Sequence, residues 1–197
     1  MVQNKKSNLN TVINNFKEHQ DVIASISSFV SDQILELGVL IAYSLKSRST
    51  LFWCGNGGSA ADSQHLAAEL VGRFKKDRRA LRSVALTTDT SVLTCVANDY
   101  SYEDIFSRQL EALARDGDVL VAISTSGNSE NVLRALRVAK ELGLKTIALL
   151  GKDGGHAKVL ADLAIVVPSD STARIQEAHI LIGHILCDLI EQELDLV

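Results

Sequence analysis

The sequence has little of what marks a fibrous, disordered or secreted chain. Its 197 residues include one proline, Pro168, and twelve glycines, which excludes a collagen-like or low-complexity protein. It contains no run of 18 apolar residues, and residues 1–15 are polar and lack the apolar core of a signal peptide. These absences predict a cytoplasmic protein without a membrane-spanning segment.

Cysteine and positive charge are also scarce. Cys54, Cys95 and Cys187 are scattered, odd in number and never arranged as CxxC, which argues against a disulfide framework or a zinc knuckle. We interpret them as reduced and mostly packed thiols. With 24 acidic and 20 basic residues the chain has a formal net charge of −4, which excludes a generally basic nucleic-acid-binding surface.

Hydrophobic patterning predicts an α/β fold. Apolar residues recur at helical spacing through residues 1–47, and from Thr50 onward short apolar runs alternate with helical segments. Five of these runs are predicted to be strands, beginning at Leu51, Ser83, Val119, Thr146 and Leu163. The helical segments between them include residues 59–74 and 103–114. Strict alternation of strand and helix indicates parallel pairing through crossover helices. We therefore predict a doubly wound, five-stranded parallel sheet flanked by helices.

The chain is predicted to form a single domain over residues 1–197. N-terminal helices in residues 1–48 would pack on the core or on another subunit, and residues 50–197 would form the α/β core. The 46% hydrophobic content is enough to bury such a core. The last helix, predicted over residues 173–194, is apolar nearly all round and should be buried on most sides. Burying it together with the N-terminal helices in so short a chain suggests an oligomer.

A glycine-rich loop, Gly55–Ala60 (GNGGSA), follows the first predicted strand. Glycines allow a sharp turn and a close ligand approach, and the start of the next helix offers free N–H groups to an anion. The spacing also fits a dinucleotide fingerprint, but Asp89 lies about ten residues too far along to bind the ribose, so NAD is not supported. The alternative is a tight turn with Ser59 as a helix cap.

A second loop, Ser124–Ser129 (STSGNS), follows the third predicted strand. Its four hydroxyl groups and one glycine make a neutral cradle for phosphate at a helix N-terminus. No GKS/T sequence is present, so this is not a nucleotide-hydrolysing P-loop. Helix capping is again the alternative. Because the carboxyl ends of parallel strands share one edge of a sheet, both loops are expected to line one ligand site.

Two helices carry titratable side chains that suit catalysis or metal binding. His65 and Glu69 lie four residues apart, on one helix face, although such a pair is often only a solvated face. Gln176 and His184 are eight apart on the last helix, so they lie within about 80° of each other. His184 stands in an apolar stretch and needs a partner, while Gly183 allows another backbone or a ligand to approach. A satisfied core histidine is the alternative for His184.

Several ordered blocks resemble the SIS (sugar isomerase) domain, and more closely the phosphoheptose isomerase family within it. They are CGNGGSAAD at 54–62, HLAAELVGRF at 65–74, ANDYSYEDIFSRQ at 97–109, STSGNS at 124–129, GKDGG at 151–155 and ARIQEAHILIGH at 173–184. The resemblance runs from residue 51 to the C-terminus, and the N-terminal helices match only in character. Several blocks in one register are far more specific than a single glycine loop.

The resemblance implies a sugar-phosphate site. Sugar contacts are implied for Asn56, Gly57, Gly58, Asn98 and Asp99, and phosphate contacts for Ser59, Ser124, Thr125, Ser126 and Ser129. Glu69 and His184 match the family's proton-transfer pair. A zinc ion, one per subunit, is implied on His65, Glu69, Gln176 and His184, and Glu69 and Gln176 are implied to touch substrate as well. Some members carry an acid before the Arg-Ile-Gln sequence, where this chain has Ala173.

The reaction implied is the aldose–ketose isomerisation of sedoheptulose 7-phosphate to D-glycero-D-manno-heptose 7-phosphate through an enediol, a first step towards bacterial surface polysaccharide. Glu69 would be the base and His184 the acid, which suits the two residue types near neutral pH. A carboxylate held on zinc is a weaker base, so the ion's role is left open. The family also implies a homotetramer with sites between protomers, and neither a nucleic-acid nor a membrane partner.

Two other functions within the SIS family are alternatives. One is a non-catalytic protein that binds the replication initiator DnaA. That branch keeps the glycine and serine loops but lacks the acid and the imidazole that match Glu69 and His184, so their presence favours the enzyme. The other is a sugar-phosphate sensor that controls transcription, which is disfavoured because the N-terminal helices have no basic recognition face.

Overall fold

The computed structural model describes the backbone of residues 2–196 and the side chains of residues 8–196. Seven α-helices occur in this part of the chain: α1 Val2–Lys46, α2 Gly58–Val71, α3 Thr90–Asp99, α4 Ser107–Leu113, α5 Glu130–Glu141, α6 Ala157–Leu160 and α7 Thr172–Glu193. Five strands alternate with them: β1 Leu51–Gly55, β2 Ser83–Ala85, β3 Val119–Ser124, β4 Lys145–Gly151 and β5 Leu163–Val167. A short 3₁₀ turn spans Tyr102–Asp104.

The five strands form one parallel sheet in the order β2-β1-β3-β4-β5. Chain order reverses between β1 and β3, since β2 lies on one side of β1 and the later strands on the other. In open α/β sheets ligands bind at such a switch point, beyond the carboxyl ends of the strands. The predicted doubly wound α/β fold is confirmed, and the switch point lies between the two predicted loops.

Alternation along the strands divides the core into two layers. Leu51 and Trp53 of β1 face the layer formed by α1, α2 and α7, whereas Phe52 and Cys54 face the layer formed by α3, α4, α5 and α6. All four side chains are at most 2% exposed. A sheet covered on both faces explains why its strands read as continuous apolar runs.

Several boundaries differ from the sequence prediction. The N-terminal region is one unbroken helix rather than two. The predicted helix over 59–74 ends at Val71, where the N–H of Gly72 bonds the carbonyl of Ala68. The predicted helix over 103–114 is divided into the 3₁₀ turn and α4. The single turn of α6 was not predicted, because four residues carry too little periodicity to detect.

Helix α1 is only partly covered. Ile26, Leu37 and Ile41 are buried against the core, and α1 packs lengthwise on α7. Residues 8–46 are long and apolar enough to cross a membrane by length and composition, a test that core helices of soluble proteins also pass. Eight large apolar side chains on its other faces are exposed: Leu9, Val12, Ile13, Phe16, Phe29, Leu35, Val39 and Tyr43.

The cysteines are all free thiols. Cys54 and Cys187 are buried, and burial raises the pKa of each to about 12, which keeps them protonated and unreactive at neutral pH. Cys95 is exposed, and its hydrogen bond to Asp99 raises its pKa. The interpretation of reduced, mostly packed thiols is therefore confirmed, with Cys95 as the exposed exception.

Candidate active site

The two loops meet at the carboxyl edge of the sheet, as the sequence predicts. Gly55 at the end of β1 is paired with Ile123 near the end of β3. A Cβ on Gly55 would lie 2.8 Å from the Ile123 carbonyl oxygen, so only glycine fits between the strand and the start of α2. Gly57 adopts a left-handed φ of 57° and forms the N-cap of α2 without a side-chain cap bond.

Ser59 is not the helix cap. It lies inside the first turn of α2, is 3% exposed, and its N–H bonds the carbonyl of Asn56. The cap position belongs to Gly57, which offers no side-chain acceptor. The N–H groups of Ala60 and Ala61 likewise bond the carbonyl of Gly57, so backbone bonds within the turn, and not a capping side chain, satisfy these first donors of α2.

An amide pair joins the two loops. The Nδ2 groups of Asn56 and Asn131 each donate to the other's Oδ1 at 2.9 Å. The hydroxyl of Tyr102 also donates to Asn56 Oδ1, at 3.0 Å. Asn131 and Tyr102 were not identified from the sequence, because one stands in the first turn of α5 and the other in an irregular segment. The pair fixes Asn56, a predicted sugar contact, across the switch point.

A cavity of about 350 Å³ opens beside Asn56. Its wall is formed by the glycine loop, the end of β2 and the segment from α3 to α4: Gly55, Asn56, Gly57, Ala60, Thr87, Leu93, Thr94, Ala97, Tyr102, Ile105 and Phe106. Asn98 and Asp99, the other predicted sugar contacts, directly follow Ala97 at the end of α3. Both are exposed, and they are hydrogen-bonded to each other at 2.7 Å. They border the segment that lines the cavity but do not line it themselves.

The hydroxyl groups of the serine loop differ in whether they bond the backbone. Those of Ser124 and Ser126 accept hydrogen bonds from the backbone N–H groups of Gly127 and Asn128, which shape the loop. Ser129 is the N-cap of α5 but makes no side-chain cap bond. The capping alternative therefore does not account for Ser129, whose hydroxyl is available to a ligand at the helix N-terminus.

The GKDGG segment (residues 151–155) and the two residues that follow it pack against the serine loop. The N–H of Ala157 bonds the Gly127 carbonyl at 2.9 Å, and the N–H of His156 bonds Asn128 Oδ1 at 3.0 Å. A Cβ on Gly127, whose φ is 65°, would lie 2.0 Å from the Gly154 carbonyl oxygen. This segment therefore helps to hold the serine loop, the predicted phosphate cradle, in its conformation.

The acid and the imidazole predicted to act together converge within a single chain. His65 Nε2 lies 2.9 Å from His184 Nε2 and 3.3 Å from Glu69 Oε1. One ligand atom of each residue lies within 4.8 Å of the others. His65 and Glu69 come from α2 and His184 from α7, 119 residues beyond His65. His65 and Glu69 are thus more than a solvated pair: the His65 side chain is half exposed, but both residues face His184.

Close packing of α7 on α2 produces this convergence. A Cβ on Gly183 would lie 2.5 Å from Leu66 Cδ1, so the absent side chain lets the helices approach. His184 is half-buried and pairs with His65, so it is not a satisfied core histidine. The core histidine is His179: it is fully buried, its Nε2 lies 2.9 Å from the Leu150 carbonyl oxygen while its buried Nδ1 has no hydrogen-bond partner, and burial lowers its pKa to about 4.

The donor set fits a zinc ion. Two imidazole nitrogens and a carboxylate oxygen are common zinc ligands, and a tetrahedral ion with bonds of about 2.0–2.1 Å separates its ligands by about 3.3 Å. The separation of His65 and Glu69 is 3.3 Å, while that of the two histidines is 2.9 Å. Gln176, the fourth predicted ligand, lies against Gly58 at the start of α2. A Cβ added at Gly58 would lie only 2.4 Å from the Gln176 amide nitrogen.

The segment after α2 covers His184 from another side. The ring of Phe74 stacks on His184 with centroids 5.6 Å apart and an interplanar angle of 20°. Arg78, on the same segment, pairs with Glu191 of α7 in the protein interior. Neither contact was predicted, because nothing in the spacing of residues 72–79 signals that this polar segment folds back onto α7.

Comparisons with known proteins identify the family of this chain. Residues 15–151 match the SIS domain family. The chain is 57% identical over 175 residues to a phosphoheptose isomerase of a Nitratiruptor species, covering 89% of this chain and 94% of that protein.

Solved structures match as well. The phosphoheptose isomerase GmhA of Neisseria gonorrhoeae is 43% identical with a TM-score of 0.89, over 93% of this chain and 98% of that one. A phosphoheptose isomerase of Francisella tularensis is 35% identical with a TM-score of 0.91, over 94% and 98%.

Proposed function

The chain belongs to the SIS domain family, and we propose that it is an isomerase that converts sedoheptulose 7-phosphate to D-glycero-D-manno-heptose 7-phosphate. The convergence of Glu69 and His65, on the helix that follows the glycine loop, with His184 of α7 is the observation that carries the proposal. The relatives named as phosphoheptose isomerases over about nine tenths of the chain support the substrate. The product is a precursor for heptose in bacterial surface polysaccharide.

The reaction moves a proton between two adjacent sugar carbons. Glu69 removes the proton next to the carbonyl, which gives a cis-enediol, and returns it to the neighbouring carbon. His184 protonates and deprotonates the oxygens, for which an imidazole is suited near neutral pH. General acid–base groups of this kind each contribute on the order of 10²–10⁴ in rate. Their closeness across two helices lets both reach one small substrate.

The two loops bind the rest of the substrate. Ser124, Thr125, Ser126 and Ser129 hold the phosphate at the start of α5, with Ser59 at the start of α2 nearby. Asn56, Gly57, Gly58, Asn98, Asp99 and Gln176 contact the sugar. Two observations support this division: the hydroxyl of Ser129 makes no cap bond, and the side chain of Asn56 is held by its amide pair with Asn131.

A zinc ion, one per subunit, completes the proposed site. His65, Glu69 and His184 would hold it, and Gln176 would join them by extending from its place against Gly58. When bound, the ion would polarise the sugar carbonyl as a Lewis acid. Ala173 supplies no acid before the Arg-Ile-Gln sequence, so Glu69 is the carboxylate assigned to proton transfer.

The DnaA-binding alternative receives no support. A protein that only bound another protein through this surface would not need an acid and two imidazoles within 4.8 Å of one another. The arrangement favours chemistry on a small molecule.

Self-association and a cytoplasmic location are part of the proposal. We propose one SIS domain over residues 1–197 that assembles as a homotetramer, with sites completed between protomers. The exposed apolar side chains on α1, such as Phe16 and Tyr43, support this, because a monomer would leave them in water. An oligomer also offers cover for α1 without a membrane.

The test is an NMR assay of purified protein with sedoheptulose 7-phosphate, with and without chelator. Glu69→Gln keeps the shape of the side chain but cannot take a proton, so turnover should be abolished while circular dichroism is unchanged. Glu141→Gln, an exposed acid at the end of α5, is the matched control and should retain full activity. Isomerase activity retained in Glu69→Gln would refute the assignment.

A further inference from the structure

A buried ion pair fastens the segment after α2 to α7. Arg78 Nε donates to Glu191 Oε1 at 2.8 Å, and the two side chains are 2% and 0% exposed. Glu191 also accepts the backbone N–H groups of Phe74 at 3.0 Å and Lys75 at 3.2 Å. The carboxylate therefore holds both the guanidinium and the backbone that carries the Phe74 ring.

The other donors of Arg78 reach the end of α2. Nη2 donates to the carbonyl of Glu69 at 2.8 Å, and Nη1 donates to the carbonyls of Leu70 at 2.8 Å and Gly72 at 2.9 Å. The last carbonyls of a helix lack intrahelical partners and carry its negative dipole end, so a guanidinium there both satisfies and neutralises them. One side chain thus fixes the turn of α2 that bears Glu69.

The same face of α7 carries His184 and Glu191. They stand at positions i and i+7, with Asp188 at i+4, so all three point towards the segment over residues 72–79. Phe74, whose N–H is held by Glu191, stacks on His184. The ion pair is therefore linked to the His184 imidazole through the backbone N–H and the ring of Phe74. It is also linked to the backbone of Glu69 by a hydrogen bond from Arg78.

We propose that Arg78 and Glu191 are positioning residues for the isomerase reaction: together they hold Glu69 and, through Phe74, His184 in the relative placement that proton transfer needs. This inference rests on the proposed function. It assigns the pair more than stability, because a buried ion pair by itself is weak evidence of a stabilising role and apolar residues of similar volume often serve as well. A guanidinium that donates both to a buried carboxylate and to fixed backbone carbonyls supplies orientation that apolar packing lacks.

The experiment compares three single variants of the full-length protein by steady-state kinetics and by NMR of ¹³C-labelled histidine. Glu191→Gln removes the charge while keeping the shape, and Phe74→Leu removes only the ring on His184. Asp188→Asn is the matched control: its partner Lys75 joins the same segment to the same helix, but this pair is exposed. The chain has five histidines, so the His184 signal can be assigned by its loss in His184→Asn.

We expect Glu191→Gln and Phe74→Leu to shift the His184 signal and to lower kcat by about 10-fold to 100-fold, as misplacement of a reacting group by about 1 Å can do. KM should not change, because the phosphate loop lies elsewhere, and Asp188→Asn should change neither quantity. If Glu191→Gln does not fold, Arg78→Lys takes its place with the same expected result, because it keeps the charge but loses the forked donors.

The possible failures are distinguishable. An unmoved His184 signal in folded Glu191→Gln or Arg78→Lys, both of which keep the Phe74 ring, would overturn the positioning role, whatever the activity. An equal loss of kcat in Asp188→Asn would overturn it too, because any contact of this segment would then suffice. A moved signal with unchanged kcat would instead overturn the proton-transfer role of His184 within the proposed function.

Discussion

Gly183→Ala is the smallest change that should disturb the contact between α2 and α7. The new Cβ would lie 2.5 Å from Leu66 Cδ1 and 2.6 Å from Cδ2, whereas ordinary contacts begin at 3.4 Å. Relief therefore requires a shift of about 0.9 Å, either of the Leu66 side chain or of one helix against the other. Leu66 is fully buried, so there is little room for the side chain to move away.

The cost should appear in both stability and rate. Overpacking a filled core costs about 1–3 kcal/mol, which urea denaturation followed by circular dichroism will measure. His65 directly precedes Leu66 and His184 directly follows Gly183, so a shift between these residues separates the two imidazoles. A displacement near 1 Å should reduce kcat by about 10-fold to 100-fold in the sedoheptulose 7-phosphate assay.

Gly38→Ala is the matched control. Its Cβ would lie 2.8 Å from Leu189 Cβ, so it strains the contact of α1 with the same helix α7, away from the histidines. We expect a comparable loss of stability with unchanged kcat. The double variant Gly183→Ala/Leu66→Ala should regain kcat while losing further stability. Native kcat in Gly183→Ala, or an equal loss in Gly38→Ala, would refute the reasoning.

Three further predictions follow from single side chains. The pKa of buried His179 is lowered from 6.5 to about 4, so below pH 6.5 the unfolded chain binds a proton that the folded chain excludes. The free energy of unfolding should fall by about 3 kcal/mol between pH 6.5 and 4, and His179→Gln should flatten that slope in urea titrations. Ser129→Ala should raise KM without the loss of about 1 kcal/mol usual for an N-cap, because Ser129 makes no cap bond; a lower urea midpoint would contradict this. Chelator should lower the Tm of the native chain but not of His65→Ala, and an equal response would count against a metal on His65.

The fold could be predicted because its signals are local. Each strand is a short apolar run bounded by glycine or polar residues, and β1, with Leu51 and Trp53 on one face and Phe52 on the other, is apolar on both. Alternation with helices then leaves parallel pairing as the only simple solution. Local signals failed where periodicity is weak, as in the one-turn helix α6 and at the end of α2.

The site could be predicted only in part. Pairs on one helix, such as His65 and Glu69, follow from spacing, and the shared edge of the two loops follows from parallel pairing. The amide pair of Asn56 and Asn131 does not, since it depends on the twist and register of β1 and β3. Nor does the stacking of Phe74 on His184, which depends on how an irregular segment crosses α7.

A constant offset between α2 and α7 explains how distant motifs form one site. Gly58 meets Gln176, Leu66 meets Gly183 and His65 meets His184, so the partners are 117–119 residues apart at every level. Only parallel helices give a constant offset, and these helices are parallel because each follows a strand of the parallel sheet and runs back along the same face. The first of these contacts has a glycine on α2, Gly58, and the second has one on α7, Gly183. At both, the missing side chain lets the helices approach closely. The placement of the acid opposite the imidazole is therefore set by packing along the two helices, and the role proposed for the loops is only to bring the substrate to it.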